Sequence, residues 1–277
     1  MDEITSDHVI KLVLDPIRHQ VENARDVRQR LKLIFDAAIA DRHRKDNPAD
    51  YDTKLRPKMG RAPKRGRVRG YNKGISYQDL RAFMDELAAI SDQSARGLEV
   101  LTMALARTAE IRHMKWTQLD PDKGMWDLKA ADIPEEAGGG DDEGTKNEYD
   151  KLTPPPRQIV AILRNLYEAR VSDYVFPGRD LAGPIFNNTL LKKLKEVSVD
   201  PTLTVHGLRG TFRTWAQEET DFEEEIVEHC MHHITGDDAE KAYKHGQAVK
   251  KRRAVLQTWA DFATKPPGKL VSLDRAA

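Results

Sequence analysis

The sequence has a single cysteine, Cys230, and no long hydrophobic run. One cysteine excludes an internal disulfide and is typical of proteins that fold in a reducing compartment. No apolar stretch reaches the ~20 residues that a bilayer-spanning helix needs, and the N-terminus lacks the pattern of a signal peptide. We therefore expect a protein of the cytoplasm, with no membrane partner.

The sequence also lacks net charge, because 45 Lys and Arg residues balance 45 Asp and Glu residues. Neutrality argues against a nucleic-acid partner only if the charges are evenly spread, and they are not. Acids concentrate in residues 135–143 and 218–228, whereas residues 54–73 contain none. The basic residues of this acid-free stretch are Lys54, Arg56, Lys58, Arg61, Lys64, Arg65, Arg67, Arg69 and Lys73.

A second basic group follows Tyr243 in the chain and consists of Lys244, Lys250, Lys251, Arg252 and Arg253. Charges segregated in this way can leave one strongly positive face on a neutral protein, which is the electrostatic signature of a polyanion partner. A solvated charged surface without a partner is the alternative, and charge alone does not decide between them.

Hydrophobic periodicity divides the chain into three parts. Residues 1–48 are predicted to be helical, with Val27, Leu31, Ile34 and Ala38 recurring at helical spacing. Residues 49–74 lack periodicity, are rich in Gly and Pro, and carry the basic run, which is a linker composition. Residues 75–277 form the larger domain. We expect a mainly α fold with a small antiparallel β-sheet (α+β).

Within the larger domain, Ser76 with Asp79 resembles a capping box at a helix start. One helix is predicted over about residues 95–115. Short strands are predicted at residues 125–128 and 151–153, on either side of an acidic, glycine-rich loop. Nearly everything after Pro156 is predicted to be helical.

Residues 206–213 (HGLRGTFR) hold the most informative pattern. As a helix, this segment places His206, Arg209 and Arg213 on one side and an apolar stripe on the other. Imidazole and guanidinium groups on one face suit a phosphate, because arginine offers a fixed fork of donors to two oxygens. Incidental arginines on a surface helix are the alternative for this motif taken alone.

Two further segments contain candidate site residues. His233 is followed by a glycine turn and then by Tyr243 at the start of a helical pattern, so the two side chains can meet at one site. Arg107 lies in an apolar segment, where burial is unfavourable unless the guanidinium meets an anion or a carboxylate. A packed tyrosine and an arginine that reaches the surface are the alternatives.

Taken in order, these segments resemble the tyrosine recombinases of the phage integrase family, especially the integrases of genomic islands. The resemblance covers about residues 75–263 and lies in ALARTAEIRHMKWTQLD, HGLRGTFRTWAQE, HHITGDDAEKAY and KKRRAVLQTWADF. It implies a catalytic domain at 75–277, preceded by a basic linker and by a partial core-binding domain at 1–48. Nothing in the sequence is similar to the arm-binding domain of island integrases.

The resemblance also implies roles for individual residues. Arg107 and Arg209 would bind the scissile phosphate, and Tyr243 would attack it to form a 3′-phosphotyrosine. His206 and His233 would assist by hydrogen bonding or proton transfer, and Glu110 would orient these groups from behind. Lys146 would be the general acid that protonates the leaving 5′-oxygen, with Lys151 as its rival in another register. His232 adjoins His233, but the spacing to Gly236 favours His233.

The implied partner is double-stranded DNA that carries an attachment site. Four protomers would assemble on DNA, the protein free of DNA would be a monomer, and DNA-bending or excision factors would assist. The segment after Tyr243 is apolar enough to dock on a neighbouring protomer, and docking on its own chain is the alternative. We expect a cytoplasmic, nucleoid-associated prokaryotic protein.

Other functions stay open at this point. A type IB topoisomerase uses the same attack but rejoins the original strand, and a non-catalytic relative would only occupy its DNA site. A metal site is the third alternative, although its residues crowd onto neighbouring helical positions and point away from one centre. They are His229, Cys230, His232, His233 and His245. We expect no cofactor, because two arginines can take the role that metal ions fill in many nucleases.

Overall fold

The computed structural model describes residues 3–60, 72–120, 122–134, 150–232 and 248–265. The chain divides into two compact units, Met1–Tyr71 and Asn72–Ala277. Of the helices in these described ranges, none is both long enough and apolar enough to cross a membrane.

The first unit is helical. Its elements are α1 (Ser6–His8), a π-helical turn (Val9–Leu14), a 3-10 turn (Asp15–Ile17), α2 (Val21–Ala40), a second π-helical turn (Tyr51–Leu55) and α3 (Arg56–Met59). A small apolar cluster holds these elements together and consists of Val9, Leu14, Phe35, Ala49 and Leu55.

Two details of this unit differ from the sequence prediction. The buried face of α2 is centred on Phe35 and Ala38, whereas Ile34 is 51% exposed. Residues 51–59, predicted to be an aperiodic linker, are helical because Asp50 caps the first turn and Leu55 is fully buried. The carboxylate of Asp50 accepts a hydrogen bond from the backbone N–H of Asp52 at 3.0 Å.

The second unit contains most of the helices and a small sheet. Its helices are α4 (Leu80–Ala89), α5 (Gln93–Ala104), α6 (Thr108–Arg112), α7 (Arg157–Glu168), α8 (Thr189–Val197), α9 (Gly207–Glu219), α10 (Glu224–Cys230) and α11 (Val249–Thr264). Short 3-10 turns lie at Trp116–Gln118 and Ala130–Asp132. Helix α5 is buried over most of its length because α4, α6, α7, α8 and α11 pack around it.

The sheet is antiparallel, with strand order β1 (Leu119–Asp120), β2 (Met125–Leu128) and β3 (Lys151–Thr153). Trp126 of β2 pairs with Leu119 of β1 and with Thr153 of β3. The two strands predicted from the sequence are therefore confirmed, and β1 is an addition. The expected fold class, mainly α with a small antiparallel sheet, is also confirmed.

The structure corrects two predicted helix boundaries. Ser76 does not begin a helix: its hydroxyl donates to the side chain of Gln78, and α4 begins at Leu80. The single helix predicted over residues 95–115 is broken after Ala104, because Leu105 adopts a left-handed conformation with φ of 56°. The chain then turns and restarts as α6, an irregularity that apolar periodicity does not reveal.

Helix α11 packs against its own chain. Val255, Leu256 and Trp259 are fully buried, and the Trp259 indole N–H donates to the carbonyl of Thr102 on α5 at 2.9 Å. The rings of Phe212, Trp215, Trp259 and Phe262 pack against one another with centroid distances of 5.0 to 6.0 Å. Ala254 of the same helix is exposed. In this single chain α11 is packed within the chain, and docking on a neighbouring protomer stays a prediction.

Candidate active site

The break after α5 places Arg107 at a helix start. Arg107 has an extended backbone and is the N-terminal cap of α6, and its backbone N–H donates to the carboxylate of Glu110 at 3.0 Å. Its guanidinium Nη1 reaches the other oxygen of the same carboxylate at 3.2 Å. One glutamate therefore fixes both the backbone and the side chain of the arginine.

Glu110 also binds a basic residue of the sheet. The Nζ of Lys151, the first residue of β3, donates to Oε1 of Glu110, and both side chains are buried. Burial acts to raise the pKa of Glu110, but the charges of Lys151 and Arg107 hold it below its ordinary value. Burial lowers the pKa of Lys151 to about 8, the charge of Glu110 opposing this effect.

Arg209 approaches the same centre from α9. Its Nη1 donates to the carbonyl of Leu105 at 2.7 Å, and its Nη2 donates to the carbonyl of Met231. These carbonyls lie at the C-terminal ends of α5 and α10, where the helix dipole favours a cation. The motif predicted to be helical is therefore helical, and its buried arginine joins two helix ends.

The residue after Met231 connects this centre to the sheet. The ring Nε2 of His232 lies 3.2 Å from the hydroxyl of Thr153 on β3. Burial, and next the charge of Arg252, hold the pKa of His232 well below its ordinary value, with contributions from Lys151, Arg209 and Arg107. His232 is therefore neutral at physiological pH and lies among these cations. The sequence had indicated it only as a neighbour of His233.

His206 directly precedes α9, one turn before Arg209. The helix start is set by a close backbone contact, because a Cβ built on Gly207 would lie 2.1 Å from the carbonyl oxygen of Lys73. The hydroxyl of Thr211 donates to the carbonyl of Ile75 at 2.6 Å and secures the same segment. Glycine after His206 is thus required by packing.

Each predicted DNA-binding residue in the described ranges forms an ion pair with an acidic residue. Arg213 is half-exposed and pairs with Glu228 at 3.1 Å. In the first unit, Lys54 pairs with Asp46 at 3.1 Å, Arg56 with Asp52 at 3.7 Å and Lys58 with Asp7 at 2.8 Å. In the second unit, Lys73 pairs with Asp200 at 2.7 Å.

Several predicted site residues lie outside the described residues and stay predictions. They are Arg61, Lys64, Arg65, Arg67, Arg69, Lys146, His233 and Tyr243. The centre that the structure does describe consists of Arg107, Glu110, Lys151, Arg209 and His232. Within the described ranges, no three His, Cys, Asp or Glu side chains are grouped in a way that would hold a metal ion.

One buried cation was misassigned from the sequence. Arg252 counted as part of a basic surface group, yet it is buried. The position of Arg252 in the helical repeat indicates its burial, because residues 252, 255, 256, 259 and 263 follow one face of α11 and all are buried. An arginine on the apolar register of a helix indicates an inward guanidinium.

The fold and this centre define the class of protein: a mainly helical domain with a small sheet and a buried group of basic side chains around one carboxylate. A model of the "Phage integrase family" matches residues 74–248. The chain therefore belongs to the phage integrase family of tyrosine recombinases, as the sequence resemblance indicated.

Known relatives are integrases of phages and prophages. The chain is 29% identical to prophage integrase IntZ of Escherichia coli (strain K12) over 262 residues, which are 94% of this chain and 60% of that protein. It is 27% identical to the integrase of Shigella phage Sf6 over 254 residues, 88% of this chain and again 60% of the relative. The chain thus spans about three fifths of the length of these relatives.

Solved structures share the fold at low sequence identity. A lambda integrase (75–356) dimer bound to a COC′ core site matches with a TM-score of 0.54 and 15% identity, covering 85% of this chain and 81% of that chain. A lambda integrase tetramer bound to a Holliday junction matches with a TM-score of 0.53 and 16% identity, covering 86% and 66%.

Proposed function

We propose that this chain cleaves and rejoins double-stranded DNA at specific sites through a 3′-phosphotyrosine on Tyr243. The observation that carries the proposal is the buried centre in which Arg107 and Lys151 share the carboxylate of Glu110 and the charge of the buried Arg209 acts on Lys151. This excess of buried positive charge is unfavourable by itself and is offset when an anion binds. Membership of the phage integrase family makes a DNA phosphate the natural anion.

In the proposed reaction, the phenol oxygen of Tyr243 attacks the scissile phosphorus while the bond from phosphorus to the 5′-oxygen breaks. Arg107 and Arg209 offset the charge that builds up on the non-bridging oxygens. A phenol titrates near pH 10, so Tyr243 needs nearby positive charge or a base, and His206 and His233 are the candidates. The ester conserves the energy of the broken bond, so rejoining needs no nucleotide cofactor.

The leaving 5′-oxygen requires a proton, for which the sequence offers Lys146 and Lys151. The position of Lys151 supports its assignment as the general acid, because its Nζ is buried beside Glu110 and its pKa is lowered to about 8. A general acid works best when its pKa lies near the working pH, and an ordinary lysine is too weak an acid. Glu110 would then orient both Arg107 and Lys151.

The basic run is proposed to hold DNA against the catalytic domain. In this arrangement residues 1–48 and the helical residues 51–59 packed with them are the partial core-binding domain, the basic residues after them up to 74 are the linker, and residues 75–277 are the catalytic domain, together forming a clamp. Phosphate contacts dominate the affinity of such a clamp, which makes binding steeply salt-dependent.

The dimer and tetramer of lambda integrase on DNA support assembly into a tetramer on DNA. Accessory DNA-bending or excision factors and a cytoplasmic, nucleoid-associated location in a prokaryote belong to the same proposal.

A plasmid assay separates recombination from the two alternatives. The duplex that the protein enriches from a randomised pool, called here the selected duplex, is placed twice on a supercoiled plasmid. Recombination exchanges the DNA between the two copies, whereas a topoisomerase only relaxes the plasmid and a non-catalytic relative leaves it supercoiled. We expect exchange products from the parent protein and none from Arg209→Gln. Relaxation without exchange would contradict the proposal.

A further inference from the structure

Arg252 is a buried cation whose side chain interacts with the thiol of Cys230 but has no charged partner among the described residues. It lies on α11 with 4% of its side chain exposed, and within the described residues its Nε and Nη2 have no hydrogen-bond partner. A buried guanidinium that makes no such bonds is strongly unfavourable, because it has lost its water and gained nothing in exchange. Such a group is retained when a ligand supplies the missing acceptor.

The groups next to Arg252 do not supply a negative charge that would offset its guanidinium. The Sγ of Cys230 lies 3.9 Å from the backbone carbonyl oxygen of Arg252, and burial raises the pKa of this thiol to about 12, so it stays neutral. His232 is neutral as well, since burial and the charge of Arg252 depress its pKa. Among the described carboxylates, none forms an ion pair with Arg252.

Three consecutive residues connect Arg252 to the candidate active site. Cys230 contacts the backbone of Arg252, the carbonyl of Met231 accepts from Arg209, and His232 contacts Thr153 two residues after Lys151. The C-terminal end of α10 therefore touches α11, α9 and β3 within three residues. Arg252 therefore lies near this centre, where its charge, together with those of Lys151, Arg209 and Arg107, lowers the pKa of His232.

Arg252 also lies as deep as the residues proposed to bind phosphate. Its exposed fraction of 4% falls beside 3% for Arg209, 7% for Lys151 and 9% for Arg107. Of these basic side chains, Arg107 and Lys151 share the carboxylate of Glu110 and Arg209 binds two helix ends. Arg252 has neither kind of acceptor in the described residues.

We propose that Arg252 is a third arginine of the active site, whose guanidinium binds a non-bridging oxygen of the scissile DNA phosphate. The phosphate oxygen takes the place of the missing acceptor and offsets the buried charge. The inference rests on the proposed function, because it assigns the same phosphate. It adds a contact from the helix that follows the nucleophile in the chain.

Two substitutions and a matched control test this assignment. Arg252→Met keeps the length of the side chain and removes the charge, and Arg252→Lys keeps the charge without the fork of donors. Arg253→Met is the control, because Arg253 is the next residue on α11, is exposed, and donates to the carbonyl of Gly124 at 3.2 Å. The variants are made in the full chain.

The first readout is thermal unfolding with and without inorganic phosphate. Without phosphate we expect Arg252→Met to be as stable as the parent or more stable, because an unpaired buried charge is removed. Phosphate should raise the Tm of the parent and of Arg253→Met by binding the native state, and raise that of Arg252→Met less. A lower Tm without phosphate, together with an unchanged phosphate effect, would indicate a structural role and overturn the assignment.

The second readout is single-turnover cleavage of the nicked selected duplex. Loss of one donor to the transition-state oxyanion lowers the rate by about 10²–10³-fold, so we expect this loss for Arg252→Met, a smaller one for Arg252→Lys and none for Arg253→Met. On a duplex whose scissile phosphate is an uncharged methylphosphonate, Arg252→Met and the parent should cleave at equal rates. A defect that persists on the methylphosphonate duplex would overturn a contact with the phosphate.

The outcomes keep the inference separate from the proposed function. If the parent cleaves and Arg252→Met cleaves equally fast, the inference fails and the proposed function stands. If the parent forms no adduct with any nicked duplex, the proposed function fails and the inference fails with it, whatever phosphate does to the Tm.

Discussion

Lys151 and Arg107 share one carboxylate oxygen: the lysine Nζ and the arginine Nη1 both contact Oε1 of Glu110, the arginine at 3.2 Å. The lysine comes from β3 and the arginine from the start of α6, so a single glutamate joins the sheet to the helix. This shared oxygen keeps two buried cations at a fixed distance from each other. The arrangement of the candidate active site therefore depends on Glu110.

Replacing Glu110 with glutamine should destabilise the protein. The substitution leaves two buried cations without their counter-charge, a change that costs about 3–5 kcal/mol of the free energy of unfolding. For a domain of this size, 3 kcal/mol corresponds to a fall in Tm of roughly 6–12 °C. Thermal unfolding of the purified variant at pH 8 measures this fall.

The matched control for this substitution is Glu99→Gln. Glu99 is also buried, but burial raises its pKa to about 7, the charge of Arg96 opposing this. A carboxyl whose pKa is raised in the folded state loses stability as the pH rises above its unfolded pKa. Glu99→Gln should therefore leave the Tm at pH 8 unchanged or raise it. Equal losses for both variants would show that Glu110 has no special role.

The pH dependence of cleavage tests Lys151 as the general acid. Burial lowers the pKa of Lys151 to about 8, and a bound phosphate acts to raise it. Because the acid must be protonated, the single-turnover rate should fall at alkaline pH, with a midpoint between 8 and the ordinary lysine value of about 10.4. Lys151→Ala should lower the rate by about 10²–10⁴-fold.

A sulfur-substituted duplex identifies which lysine provides the proton. A 5′-bridging sulfur leaves as a thiolate without protonation, so it should restore cleavage by Lys151→Ala and abolish the alkaline fall. Lys146→Ala is the matched control and should behave like the parent on both duplexes. If the sulfur duplex instead rescues Lys146→Ala, the general acid is Lys146.

Much of this centre was predictable because motifs fix residue types at fixed spacing. Arg107 and Arg209 stand out in their own segments, and the family resemblance implies Glu110, which the structure places in contact with Arg107. Strands β2 and β3 were predicted as short segments on either side of an acidic, glycine-rich loop. These features depend on residues that are close together in the chain, so a pattern in the sequence predicts them.

Other features depend on contacts that sequence patterns do not record. The break at Leu105 interrupts a continuous apolar pattern, and its carbonyl is then available to Arg209. The choice of Lys151 depends on the register of β3 against β2, which brings its Nζ to Glu110. The inward position of Arg252 was overlooked because basic neighbours in the chain suggested a surface group.

Docking of α11 on its own chain predicts how a core substitution behaves. Trp259→Ala removes a fully buried indole and its hydrogen bond to Thr102, which costs about 3–5 kcal/mol. The Tm should fall and stay independent of protein concentration, since no second copy is involved. Thr258→Ala, at an exposed position of the same helix, should change little. A Tm that rises steeply with concentration would point to docking between protomers.

Salt dependence tests the proposed contacts of the basic run. The logarithm of the binding constant should fall linearly with the logarithm of salt concentration, by about 0.9 per neutralised phosphate. Replacing Arg65, Arg67 and Arg69 together with glutamine should make the slope less steep. The same change at Lys54, Arg56 and Lys58 should have a smaller effect, because acids already pair with them. A salt-independent binding constant would rule out the clamp.

The most direct test of the central proposal is a search for a covalent adduct between protein and DNA. The parent and Tyr243→Phe are incubated with nicked duplexes, which trap the cleaved state, and the products are denatured and separated. We predict a denaturation-resistant adduct with the parent, attached through the peptide that contains Tyr243, and none with the variant. An adduct that persists in Tyr243→Phe, or no adduct from a parent protein that binds the duplex, would contradict the proposal.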